Sequence, residues 1–156
     1  ARAKDAVDRM LKRTASAHLA DVPRMEGLRA QLFDDALALY DEMVAESGDD
    51  SEFLIGRSET LLQAGSLRLE LGRTADAEAD FRAALAVAET VSRRRPEHPK
   101  AEFTLERAIA RLAHFHREVG QRDESVRLLE QALVLADRVA KAHPEKIDPI
   151  VEPLNC

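Results

Sequence analysis

The sequence predicts an all-α protein built from stacked antiparallel helix pairs, and three observations support this prediction. The segment that begins at Gly72 recurs with a closely similar sequence from Gly120, 48 residues later (120 − 72). Ala, Leu, Arg and Glu dominate, and these residues are strong helix formers. Aromatic residues make up only 4% and Trp is absent, so Ala and Leu must build a core of closely packed helices. Self-similarity at this period predicts a stacked repeat, or α-solenoid.

The period occurs three times and defines one domain at residues 1–145. Adding 48 to Val91 gives Val139, and subtracting 48 from Phe81 gives Phe33, although the first copy matches the others least well. We predict helix pairs at residues 1–48, 49–96 and 97–145. The six long helices of these pairs are predicted at 2–20, 24–47, 51–71, 74–95, 99–119 and 123–143. Short turns make successive helices antiparallel.

The second and third pairs carry the clearest helix signals. Thr74 is a preferred N-cap residue for the second helix of pair two. Gly120 suits the left-handed C-cap of the helix before it. Pro144 stops the last helix at the residue before it. In the third pair one face carries an apolar stripe at helical spacing: Leu105, Ala108, Leu112, Phe115 and Val119.

The tail at residues 146–156 is not expected to form a full helix. Pro153 falls in the second turn of what would be a fourth copy and would break that helix. Two alternatives stay open: the tail is a frayed end, or its apolar residues lie over the last pair as an extended cap. Those residues are Ile147, Ile150, Val151 and Leu154. Because the chain starts at Ala1 and stops abruptly, we expect it to be part of a longer protein.

Charge and composition exclude several classes of protein. The net charge of −6 and a pI near 5.4 argue against nucleic-acid binding, which needs a basic surface. The single cysteine, Cys156, excludes an internal disulfide and a structural zinc site of the usual thiolate type. No apolar run approaches the roughly 18 residues of a membrane span, so no membrane contact by this chain itself is predicted.

The second helices of pairs two and three resemble the tetratricopeptide repeat. Its pattern is Gly, a small residue five on, a large residue nine on and Ala twelve on, and two copies follow it: Gly72, Ala77, Phe81 and Ala84, then Gly120, Ser125, Leu129 and Ala132. The first helices fit at Leu61, Ala64 and Gly65, and at Ile109, Leu112 and Ala113. Arg24 stands where the first copy should have glycine, and the closing prolines come about seven residues late. The resemblance therefore covers 51–145 well and 2–50 loosely.

Three segments of the sequence are similar to the repeat region that follows the kinase domain of some bacterial serine/threonine kinases. These segments are "DAVDRML", "VPRMEGLRAQLFDDALALYDEM" and "LGRTADAEADFRAAL". This resemblance implies a regulatory or docking region of a larger signalling protein. The chain itself carries no glycine-rich phosphate loop, His-Arg-Asp or Asp-Phe-Gly. Its location is left undetermined: cytoplasmic, or extracytoplasmic if it is tethered to a membrane-spanning kinase.

The tetratricopeptide resemblance also implies a binding groove along the first helices, where one subset of the family clamps a terminal carboxylate. Residue by residue, that clamp falls on Gln63, Arg107 and Arg111. Two further clamp positions fall on Thr14 and His18, which depart from the pattern. The expected partner is a protein or peptide, in particular an acidic or C-terminal segment.

Helical spacing independently places four polar residues on one face of the fifth predicted helix. Arg107, Arg111, His114 and Glu118 are spaced by four, three and four residues. These residues form either an acidic-peptide site or a solvated face whose arginines pair with neighbouring helices. We retain all of them, with Gln63, as candidate peptide-binding residues.

Metal binding, cofactor binding and catalysis are not predicted. His114 and His116 are two residues apart, so they point in different directions on a helix. His114 and Glu118 would supply only two ligands, whereas zinc needs three or four. No catalytic motif occurs. The leading hypothesis is a protein-interaction module. The alternatives are a self-association module, in which apolar end faces pair in a homodimer, and a metal-binding or enzymatic domain.

Overall fold

The computed structural model describes residues 26–47, 50–98 and 100–142 of the chain. These residues form helices joined by short turns, with no strand among them, which confirms the predicted all-α fold. The predicted helix at 2–20 and the tail at 146–156 lie outside the described residues. The helices are α1 (Glu26–Ser47), α2 (Ser51–Glu70), α3 (Thr74–Arg94), α4 (Ala101–Glu118) and α5 (Arg122–Ala142).

The helices stack in chain order, and the first helices of neighbouring pairs also touch. Each helix packs against the next one along the chain, and α2 packs against α4. Residues 48 apart face each other across α2 and α4: Lys100 Nζ lies 3.5 Å from Glu52 Oε2, and an Arg107 nitrogen lies 3.3 Å from Glu59 Oε1. The sequence period is therefore also the period of the stack.

Gly120 ends α4 in the left-handed conformation, as predicted, and Gly72 ends α2 in the same way. Gly72 has φ 73° and Gly120 has φ 82°, the left-handed conformation that costs glycine least. After α4, the Gln121 amide donates to the His116 carbonyl at 2.7 Å, which is the bond that closes a Schellman turn. At the start of α2, the Asp50 side chain accepts from the Glu52 amide at 2.9 Å.

The prediction that Thr74 caps α3 is wrong. Arg73 occupies the N-cap position, and its carbonyl accepts the Ala77 amide at 3.0 Å. Because the left-handed Gly72 completes the turn within a short segment, α3 begins at Thr74 itself. Thr74 is therefore the first helical residue and not the cap. No side chain caps this helix. The other predicted boundaries differ from the structure by two residues or fewer within the described segments.

The apolar core consists of three clusters, and the largest of them joins α2, α3, α4 and α5. The predicted stripe of α4 faces it: Ala108, Leu112 and Phe115 are buried, and Leu105 and Val119 are half-buried against the same cluster. The ring centroids of Phe81 and Phe115 lie 5.7 Å apart, so α3 and α4 meet through an aromatic pair. No helix in the described part of the chain is long and apolar enough to cross a bilayer.

Close approach of helices explains two small residues in α2. A methyl group at Gly65 would lie 3.0 Å from a ring carbon of Phe81, and one at Gly56 would lie 2.6 Å from the Tyr40 hydroxyl. Any side chain larger than hydrogen would crowd the Phe81 or Tyr40 ring. The small residue of the tetratricopeptide pattern at Gly65 thus has a direct packing reason.

Arginine–aspartate ion pairs attach α1 and α3 to α2. The Arg68 guanidinium bonds to Asp34 of α1 and to Asp80 of α3, and Arg57 Nε lies 2.5 Å from Asp41 of α1. Asp80 is buried. Burial raises the pKa of Asp80 above its ordinary value of 3.8, and the neighbouring Arg68 only partly offsets that effect.

Candidate functional site

Two adjacent cavities lie along the groove between α2 and α4. The first, which we call the Arg29 cavity, has a volume of about 290 Å³, and the second, the His114 cavity, about 270 Å³. Both are lined by Ser66, Glu70 and Arg111, so they form one continuous groove. The face predicted from helical spacing therefore does line a concavity.

The Arg29 cavity combines an apolar floor with a largely basic rim. Phe33 from α1 and Leu62 and Leu67 from α2 supply the apolar side chains. The remaining lining residues are polar and come from α1, α2 and α4: Arg29, Gln63, Ser66, Glu70, Arg107 and Arg111. All three clamp residues inferred from the resemblance, Gln63, Arg107 and Arg111, thus line the same cavity.

The polar residues of this cavity differ in whether they are already paired. Arg107 is engaged: it bonds to Glu59 and stacks over the Phe103 ring at 5.4 Å. Within the described segments, Gln63 and Arg111 make no hydrogen bond or ion pair with other side chains. The alternative of arginines paired with neighbouring helices therefore fits Arg107 and does not fit Arg111.

Arg29 is the cavity residue that the sequence reasoning missed. Its Nε atom is buried and has no hydrogen-bond partner in the described part of the chain. Adding 48 to Arg29 gives Ala77, the small residue of the tetratricopeptide pattern. A long basic side chain at a position reserved for a small one was the available signal. It could not be interpreted without knowing that α1 turns this position toward α2 and α4.

The His114 cavity holds the other two candidate residues. His114 Nδ1 lies 3.4 Å from Glu118 Oε1, and both side chains are about half exposed. Phe81 and Phe115 form part of the wall. Arg111 lines both this cavity and the Arg29 cavity, so a ligand lying along the groove would contact it.

The electrostatics of the groove favour an anionic group near Arg29 and Arg111. The Arg29 cavity is lined by three arginines and one carboxylate, Glu70, in a molecule whose net charge is −6. A carboxylate or phosphoryl group accepts hydrogen bonds from guanidinium groups with good geometry. Buried donors without partners carry a desolvation cost that such a ligand would remove.

The histidines do not form a metal centre in the described residues. No group of three or more His, Cys, Asp or Glu side chains there is arranged to hold a metal ion. His116 is buried, with Nδ1 2.5 Å from Gln121 Oε1, whereas His114 faces the groove. The two rings point to opposite sides of α4.

Comparisons with known proteins bear on the last helix pair. Residues 107–145 match the family model described as tetratricopeptide repeat. The matched stretch starts within α4 and runs through α5. Neither curated proteins nor solved structures give a significant match. The match and the all-helical architecture together support a repeat of tetratricopeptide type, a class that generally mediates protein–protein interaction and is typically not catalytic.

Proposed function

We propose that this chain, whose last pair is similar to the tetratricopeptide repeat, is a protein-interaction module that binds an acidic or C-terminal peptide segment along the groove between α2 and α4. A rigid stack offers such a segment a continuous surface at little conformational cost. An anionic side chain or terminal carboxylate of the peptide would bond to Arg111 and Arg29. Gln63 would donate its amide to the peptide, and Arg107 would contribute its charge from the rim.

One observation carries this proposal: Arg29, Gln63 and Arg111 line one cavity, yet make no hydrogen bond or ion pair with described side chains. Long basic side chains on a solvated surface usually find partners or water. Here, the Nε atom of Arg29 is buried and has no hydrogen-bond partner among the described residues. An anionic ligand would satisfy these donors together.

The test is binding of a fluorescein-labelled acidic peptide with a free C-terminal carboxylate, followed by anisotropy. The double variant Arg107→Glu with Arg111→Glu should weaken binding by about tenfold or more, because it replaces attraction by repulsion. The matched control is Arg93→Glu with Arg95→Glu, which changes the net charge equally at exposed arginines outside the groove.

Three results would each count against the groove as the binding site. They are no detectable binding by the unmodified chain, unchanged binding by the groove variant, and equal losses in the groove and control variants. The last result would show that overall charge alone attracts the peptide. Binding of the same peptide with an amidated C-terminus separates recognition of the terminal carboxylate from recognition of acidic side chains.

We also infer that the module is the regulatory or docking region of a larger bacterial signalling protein such as a serine/threonine kinase. The support is the similarity of three sequence segments to the repeat region of some bacterial serine/threonine kinases. The check is to sequence the gene upstream of the codon for Ala1. A reading frame encoding a kinase domain followed by a membrane span would support the inference, and a start codon directly before Ala1 would overturn it.

A further inference from the structure

The last helix, α5, carries an apolar stripe that no described element covers. Val126, Leu129 and Leu133 are 53%, 47% and 70% exposed, and Ala136 is also exposed. We call these four residues the end stripe. Their spacing of three, four and three residues sets them along one side of the helix. Large apolar side chains gathered in this way mark an interaction surface.

The preceding pair shows what lies on the equivalent surface. Subtracting 48 from Leu129 and Ala136 gives Phe81 and Ala88 of α3. Both are buried, at 2% and 0% exposure, where α4 packs against α3 and the Phe81 and Phe115 rings meet. In the repeat, this side of the second helix is therefore where another helix lies. The end stripe continues that established helix–helix interface past the last described helix.

Charge defines one border of the end stripe. Asp123, Glu130 and Asp137 are spaced by seven residues and lie next to the stripe on its solvent side, since seven residues make about two helical turns. The opposite border is the molecule's own core at Leu128 and Leu135. We call the row of Asp123, Glu130 and Asp137 the acidic edge.

Two members of the acidic edge are free to pair with another molecule. Asp137 bonds to Lys141 at 2.6 Å, but Asp123 and Glu130 form no ion pair within the described ranges. A helix lying on the end stripe would set one of its own edges beside these carboxylates. Basic residues on that edge would gain attraction, and acidic residues would be repelled.

We propose that the end stripe docks an amphipathic helix of a partner protein, one with an apolar stripe and with Lys or Arg along the edge that faces the acidic edge. A second copy of this chain fits less well, because antiparallel pairing of two α5 helices would set one acidic edge along the other. This surface is on the opposite helix of the pair from the groove, and its role does not depend on the groove proposal.

The test uses the full chain and two designed amphipathic peptides of about three heptads with the same Leu stripe, one edged with Lys and one with Glu. The Lys-edged peptide should bind about tenfold more tightly at low salt, and the difference should shrink as salt is raised. The double variant Asp123→Lys with Glu130→Lys should reverse the preference. Equal affinities, or an unchanged preference in this variant, would overturn the charge assignment.

A second variant tests the stripe itself. Leu133→Lys should abolish binding of the Lys-edged peptide without loss of helix content, because the side chain is mostly exposed. Leu28→Lys, which alters an exposed leucine of α1, is the matched control and should bind normally. The groove variant Arg107→Glu with Arg111→Glu should also bind the helical peptide normally.

Other outcomes would overturn the proposal. If sedimentation shows a dimer that Leu133→Lys dissociates, the end stripe is occupied by a second copy. If neither peptide binds, or if the Leu28 and Leu133 variants lose binding equally, the stripe is not a docking site for a helix.

Discussion

Single atoms set the spacing of the helices in this stack. Gly56 and Gly65 lie beneath the rings of Tyr40 and Phe81, and each ring lies where a side chain on the glycine would have to be. Tyr40 and Phe81 are both almost completely buried, so neither ring can move aside without disturbing the core. The hydrogen of glycine thus fixes how closely α1 and α3 approach α2.

Gly56→Ala should destabilise the protein by up to about 2 kcal/mol. Alanine gains about 1 kcal/mol in helix propensity, but overpacking against the Tyr40 ring costs about 1–3 kcal/mol or more at so short a distance. The measurement is the free energy of unfolding in urea. Gly27→Ala is the matched control, since nothing lies within 4 Å of its added methyl group. It should leave stability unchanged or raise it slightly. A stabilising Gly56→Ala would mean that the ring moves aside easily.

At the scale of whole helices, ion pairs hold the first described helix onto the stack. Arg68 of α2 bonds to Asp34 of α1 and Asp80 of α3, so one side chain joins three helices. The repeat does not preserve this arrangement. The residues 48 positions after Arg68 and Asp80 are His116 and Leu128. His116 is buried, its Nδ1 pairs with Gln121, and its Nε2 has no partner in the part of the chain described. The same position therefore joins helices by charge in one pair and mainly by apolar packing in the next.

Asp80 should make part of the free energy of unfolding fall as pH rises, which is the opposite of the effect of a carboxylate whose pKa is lowered on folding. Because burial raises its folded pKa above 3.8, the native state binds more protons than the unfolded state between the two pKa values. The contribution of Asp80 to the free energy of unfolding therefore falls as pH rises from about 3.8 through the folded pKa. The difference in this free energy between the unmodified protein and Asp80→Asn should decrease over that range.

Urea unfolding at several pH values between about 4 and 7 measures this difference. Asp123→Asn, an exposed carboxylate without a described partner, controls for the loss of one surface charge. A difference that increases with pH would contradict the prediction. It would mean that pairing with Arg68 outweighs burial and holds the pKa of Asp80 below its ordinary value.

At the scale of the molecule, burial is greatest in the middle of the stack and lower at both described ends, α1 and α5. Ten residues of α2 are buried, from Leu54 to Leu67. Among the described side chains of α5, only Ser125, Leu128 and Leu135 are buried. Because the repeats contact only their neighbours, stability in such a stack is a sum of local terms.

Native-state hydrogen exchange should therefore show a gradient of protection. Amides in α2 and α3 should exchange only through global unfolding, whereas amides in α5 should exchange through local opening with a lower free energy. Exchange measured by mass spectrometry or NMR on the full chain provides the check. Addition of the Lys-edged peptide should raise protection in α5 if it covers the end stripe. Equal protection of α3 and α5 in the free protein would contradict the gradient.

Sequence patterns predicted the described helices, their 48-residue period, the left-handed turn at Gly120, and the face that carries Arg107 and Arg111. Those features depend on spacing along one helix or one turn, so local patterns are enough to predict them. They gave an incorrect cap at Thr74, because capping depends on how the chain leaves the preceding turn.

Tertiary packing determines which charges are paired and which surfaces are covered. It engaged Arg107 with Glu59, left Arg111 without a described partner, and brought Arg29 of α1 into the same cavity. It also left Leu133 exposed where the equivalent surface of α3 is covered. These outcomes depend on distances between residues far apart in the chain, and such distances are set by the packing of the whole stack.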